Sequence, residues 1–296
     1  LRERKFVLYT VALFLSVSAN YYIGFFVCIF VFLTFFCYEI CLWQGMKRFL
    51  ADFALMGVFS VIAIGMSAFL TVSAMAALQT TQSSVNKFPT GFRLNIASSH
   101  QLKGLLDGMR QVAGNMGGSL EPSFKEGLPN LYCGVGSLLL GVLFLLSEDV
   151  KRREKLCSLA LLVFFNVSFL IRQLDYIWHG FHFTNMIPYR FSFLYSFVVL
   201  YMAYSAWIQR KRFSANQILL AGILAAAVLA CSDQLTATVP MALGNISLDI
   251  PLYFLYNLIF LVLYLLAMLV GCVRESIPED ATQEQIAKNR AEERFQ

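Results

Sequence analysis

Eight apolar runs separated by polar breaks set the pattern of the chain, at about 6–18, 23–43, 53–78, 131–147, 156–171, 191–207, 218–231 and 250–273. Runs of this kind predict helices that cross a bilayer, whose hydrocarbon core takes about 20 residues at 1.5 Å each. The first run is short and reaches only about 20 Å. It is expected to enter without fully crossing, or to bend at the break Ser18-Ala19-Asn20-Tyr21-Tyr22. The third run is rich in Ala, Gly, Ser and Met. Small side chains let helices approach closely, which predicts a place inside the bundle.

The breaks alternate in character. Arg2, Arg4 and Lys5, then Lys47-Arg48, then 151–155, then Arg210-Lys211-Arg212, then Arg274 each lie where an even count of crossings puts the chain. The other breaks carry fewer basic residues for their length. A Lys/Arg excess marks the cytoplasmic side, so the pattern predicts a multi-pass membrane protein with both ends of this chain cytoplasmic. The outer segments are then the short break near Asn20 and about 79–130, 172–190 and 232–249. Within the longest, Ser98-Ser99-His100-Gln101 followed by Leu102, Leu105, Leu106 and Met109 predicts a short capped amphipathic helix. The division expected is a helical membrane domain over 1–273 and a charged cytoplasmic tail over 274–296.

Composition agrees: of 296 residues, 58% are hydrophobic and only 14% charged. Soluble domains carry about a quarter charged residues, so the fold class read here is an all-α polytopic membrane protein of about eight helices. The net charge of +5 comes from residues at run ends and points to the bilayer, not to nucleic acid. The seven cysteines form no Cys-x-x-Cys pair and read as membrane packing. The chain opens Leu-Arg-Glu-Arg-Lys, without Met, and is expected to be part of a longer protein.

Candidate chemistry concentrates in 172–190, which holds two of the three histidines, an acid, two arginines, an Asn and several aromatic rings. Rings with polar edges beside fixed charge suit a ligand half in lipid and half in water. An aromatic belt with snorkelling arginines reads from the same residues. Arg190 begins the sixth run, where its planar fork suits a phosphate at headgroup depth. Asp175 can orient a histidine or a sugar hydroxyl, or be an exposed loop acid. His179 can hydrogen-bond sugar or phosphate, or serve as acid or base. Trp178, Phe181 and Tyr189 can stack on a sugar ring or anchor at the interface. His179 and His182 are three apart, a weak metal spacing; a divalent metal has no other support, and no cofactor is evident. No phosphate-cradling glycine loop, Gly-x-Ser-x-Gly or paired carboxylate stands out. The catalytic group is therefore unassigned, with Asp175 and His179 as candidates.

Several stretches resemble the bacterial YfhO membrane-protein family. They are Asn20-Tyr21-Tyr22-Ile23-Gly24-Phe25; Leu128-Pro129-Asn130-Leu131-Tyr132-Cys133-Gly134; Arg153-Glu154-Lys155; and Trp178-His179-Gly180-Phe181, then Asn185, then Pro188-Tyr189-Arg190-Phe191-Ser192-Phe193. The resemblance implies a GT-C-like integral membrane glycosyltransferase. The donor it implies is a polyprenyl-phosphate sugar, and the acceptor a cell-wall polymer such as lipoteichoic acid, at the outer face of the bacterial membrane. It also implies a catalytic acid in an outer loop upstream of this chain. The family tends to carry Pro-Thr at the outer end of the third run, where 73–78 holds no Pro. Substrate contacts are expected from Arg190, Trp178, His179, Asn185 and Tyr189, with Asn20, Tyr22, Asn130 and Tyr132 from the other outer segments. A flippase or transporter of lipid-linked sugars, or an inactive scaffold fragment, stands as the alternative.

Overall fold

A computed structural model describes residues 5–80, 88–89, 129, 131–182, 189–230, 238–243 and 246–271. Helices α1 (Phe6–Ala19) and α2 (Tyr21–Cys41) form a hairpin joined by Asn20 alone. Asn20 is extended, and its side-chain oxygen accepts from the main-chain N–H of Tyr22 and Ile23, at 3.0 and 3.1 Å. That cap satisfies two N–H groups that a helix start otherwise leaves open. The first run therefore ends in a sharp reversal, not a gradual bend. Gly24 makes the reversal possible: a Cβ there would sit 2.7 Å from the Cα of Val17.

The third run divides into α3 (Met46–Met66) and α4 (Ala68–Gln79), which meet at Ser67. The Ser67 hydroxyl donates to the carbonyl of Ile64 at 2.9 Å. Lys47 and Arg48 lie inside α3, where Arg48 Nε pairs with Asp52 Oδ2 at 3.0 Å. The expectation that this run sits inside the bundle is corrected. Ala63 is buried against α1, but Val61, Phe69 and Val72 are each more than 60% exposed. Its small residues fit a neighbour on one side only, and its large apolar ones face outward, as lipid allows.

The main core gathers around α5 (Val135–Leu146). This helix packs against α8 (Ser192–Ile208), α9 (Ala215–Ala230) and α10 (Leu252–Gly271). Helix α6 (Arg152–Leu170) packs against α2 and α8 and leads into the short α7 (Arg172–Trp178). By length and composition, α2 and α3 are each apolar enough to cross a membrane; α1, α4, α5, α8, α9 and the described part of α10 are apolar and shorter. Between α9 and α10 lies an antiparallel hairpin of β1 (Thr238–Leu243) and β2 (Ile246–Pro251), with Thr238 opposite Pro251 and Leu243 opposite Ile246. The all-α reading thus gains one small sheet in the segment read as an outer loop.

Consecutive helix ends fall into two opposed groups. One joins the α1–α2 turn, Leu131, α7 and the start of α8: Tyr22 lies beside His179, and Ser196 Oγ reaches the Leu131 carbonyl at 3.5 Å. The other joins the end of α2, the α5–α6 link and the end of α8. There Ser147 Oγ meets Gln209 Oε1 at 2.8 Å, Tyr201 donates to Glu154 at 2.7 Å, and Arg212 pairs with Asp149 at 3.4 Å. The Cys41 and Cys157 sulfurs are 3.8 Å apart at this second end, too far for a bond of about 2.05 Å. Cys28, Cys37 and Cys133 are also free thiols, while Cys231 and Cys272 lie outside the residues for which side chains are described.

Candidate functional site

The stretch 172–190 begins as a helical turn, not a plain loop. Ile171 is extended and ends α6, and its carbonyl accepts from Asp175 N–H at 3.1 Å to start α7. Spacings of three and four bring Asp175, Trp178 and His179 to one face of this turn. That face is buried: Asp175 is 9% exposed, Trp178 2% and His179 0%. The turn closes with Phe181 N–H donating to the Tyr176 carbonyl at 2.9 Å. Gly180 and Phe181 both take positive φ, at 71° and 63°. Glycine adopts that region freely, whereas Phe181 holds it at a cost the surrounding packing must offset.

His179 is enclosed by rings. Its imidazole meets Phe26 and Phe191 edge to face, with centroids at 5.9 and 5.6 Å, and lies 6.2 Å from Tyr22. Nδ1 is 2.8 Å from the main-chain carbonyl of Asp175 and 3.1 Å from Oδ1 of the same residue. The carbonyl takes the hydrogen bond; Oδ1 lies close enough to balance a charge on the ring but accepts no hydrogen bond itself. Nε2 of His179 and the Tyr22 hydroxyl are likewise buried without hydrogen-bond partners among the described residues. The guanidinium of Arg190 stands 5.4 Å from the centre of the Tyr22 ring. His182 lies on the same ring at 5.9 Å, and burial holds its imidazole below the usual range, opposed by a hydrogen bond to the Gly180 main chain and reinforced by His179 and Arg190.

The structure thus brings together Tyr22, Asp175, His179 and Arg190 from three separate helix ends or turns. It sets other candidates apart. Trp178 lies in the core beneath the cluster, stacked on Phe191 at 4.7 Å and 7° and close to Phe165. Both its burial and its stacking on Phe191 give it a packing role in place of a sugar platform. Asp175 is not an exposed loop acid. Asn20 caps α2, Tyr189 packs its ring edge-on against Phe169 at 5.7 Å, and Tyr132 is 46% exposed at the entry to α5. Asn130 and Asn185 lie outside the described residues, as does the amphipathic segment near Leu102. Among the described residues no group of three or more His, Cys, Asp or Glu is arranged to hold a metal ion. Sequence reading quoted Phe191 only within a motif and passed over Phe26, which sits in a uniformly apolar run where no ring stands out; the two rings flank His179.

Arranged this way, the cluster offers a fixed cation, a hydroxyl and an imidazole at one end of an apolar bundle. A family described as "Bacterial membrane protein YfhO" matches residues 1–282. No curated protein and no solved structure matches the chain.

Proposed function

Because the chain belongs to the YfhO family of bacterial membrane proteins, we propose that it acts as an integral membrane glycosyltransferase of GT-C type. The proposed reaction moves a sugar from a polyprenyl-phosphate donor to a cell-wall polymer such as lipoteichoic acid, at the outer face. The observation that carries the reading is the position of Arg190 over Tyr22, beside buried His179 and Asp175. Negative charge grows on the donor phosphate as its bond to the sugar breaks. A guanidinium held at that point stabilises the transition state more than the ground state. The Tyr22 hydroxyl supplies a second donor to the same oxygens. His179 and Asp175 contact hydroxyls of the sugar or the acceptor, and Tyr189, Asn185, Asn130, Tyr132 and Asn20 border the substrate path. The donor carries its own activated bond, so the reaction calls for no soluble cofactor.

A flippase would move the same lipid without forming a bond. Such a path favours ionisable residues at mid-membrane. The buried acids Glu39 and Asp52 instead lie within two turns of the helix ends opposite the cluster. The test is sugar transfer from polyprenyl-phosphate glucose to lipoteichoic acid in membrane vesicles. Replacing Arg190→Ala is expected to lower transfer about 100-fold, the usual scale for losing one charge-stabilising donor. Donor use unchanged in that variant would refute the assignment of phosphate to Arg190.

A further inference from the structure

His179 has a hydrogen-bonding polarity that restricts what it can bind. Both groups within reach of Nδ1 are oxygens of Asp175, a carbonyl at 2.8 Å and a carboxylate oxygen at 3.1 Å. A bare lone pair on Nδ1 would face two acceptors, so Nδ1 carries the proton and donates it to the carbonyl. In the neutral ring Nε2 is then an acceptor only. It is buried on a residue with 0% exposure, and among the described residues no group donates to it. An unmatched buried acceptor destabilises the fold, and an aliphatic side chain between Phe26 and Phe191 would carry no such penalty. The position is thus polar at a cost, as ligand-reading positions are.

We propose that Nε2 of His179 accepts a hydrogen bond from a substrate hydroxyl, of the donor sugar or of the polymer, with Asp175 as the positioning residue that fixes the tautomer and the ring. The inference rests on the transferase reading and deepens it. Phosphate oxygens are acceptors and do not match a bare Nε2; they fall to Arg190 and the Tyr22 hydroxyl, which are donors. Substrate is therefore sorted by hydrogen-bond polarity: donors of the protein hold the phosphate, and the imidazole reads a sugar or polymer hydroxyl. The charged or titratable groups facing the imidazole are Asp175 on α7, Tyr22 on α2, and His182 and Arg190 beyond the Tyr22 ring.

Binding to the detergent-solubilised chain tests this with three probes: polyprenyl-phosphate glucose, bare polyprenyl phosphate and poly(glycerol phosphate). Wild type is expected to prefer the glucose-bearing lipid over the bare lipid by about tenfold, the scale of one good hydrogen bond. H179L is expected to erase that ratio and leave bare-lipid affinity within about twofold. H179Q returns a carbonyl oxygen at similar reach and should keep most of the preference. If H179L does not fold, H179N serves, since its shorter side chain keeps a polar group but falls short of the hydroxyl. A preserved lipid ratio with about tenfold weaker polymer binding would assign the hydroxyl to the acceptor and also support the proposal. Equal weakening of both lipids, or no change with any probe, would overturn it while leaving Arg190 and the transferase reading standing. Failure of wild type to bind either lipid would overturn that reading, and this inference with it.

Discussion

Trp178 illustrates how the same residue reads differently in one dimension and in three. In sequence its ring stands among polar neighbours and suggests a sugar platform; in the fold it stacks on Phe191 with 2% of its surface exposed. Trp178→Ala is expected to cost about 3–5 kcal/mol in thermal or denaturant unfolding, the range for emptying a buried aromatic site. Asp175 and His179 were visible as chemistry, and their spacing of four is the mark of a shared helix face. The burial of His179 was not visible, because it comes from Phe26, far away in the chain, and from Phe191 at the start of α8. His182 carries a pH dependence of definite sign. Burial lowers its folded-state value, so the unfolded chain binds the proton more readily. Its contribution to stability is fully present above about pH 6.5 and is lost as pH falls below that toward the folded value. The unfolding midpoint of wild type should therefore drop more steeply on acidification than that of His182→Gln; parallel curves would rule this out.

At the scale of elements, the α1–α2 hairpin depends on the absence of a side chain at Gly24. Gly24→Ala would set a methyl against main chain that has no room to yield, and is expected to cost about 1–3 kcal/mol. Gly222 is also crowded, but there the contact is the end of the Leu265 side chain, which can turn away. Thermal unfolding of the two alanine variants should show the larger loss at Gly24. The short α7 in the polar segment 172–190 was not legible, whereas the long apolar helices were, since such runs permit little else in lipid. Helix breaks were less so. Ser67 divides the third run through a hydroxyl bond to its own preceding turn, a contact hydropathy cannot register. The β1–β2 hairpin was missed although Gly244-Asn245 separates its two six-residue strands, a known hairpin signal. Its residues are too mixed in polarity to show a clean alternation.

At the scale of the whole molecule, the two opposed groups of helix ends match the alternation read from basic residues. Lys151, Arg153, Lys155, Arg210 and Arg212 share one end, and Tyr22, Asp175, His179 and Arg190 share the other. The positive-inside tendency supports the proposed placement of the Arg190 cluster outside the cytoplasm, where a lipid-borne sugar is the proposed donor. Single cysteines offer the most direct check, placed at Phe181 (58% exposed) and at exposed Lys211 after the native cysteines are replaced. With a membrane-impermeant maleimide on intact cells, Phe181→Cys should label at once and Lys211→Cys only after permeabilisation. The reverse order would put the cluster in the cytoplasm and contradict an outer-face transferase.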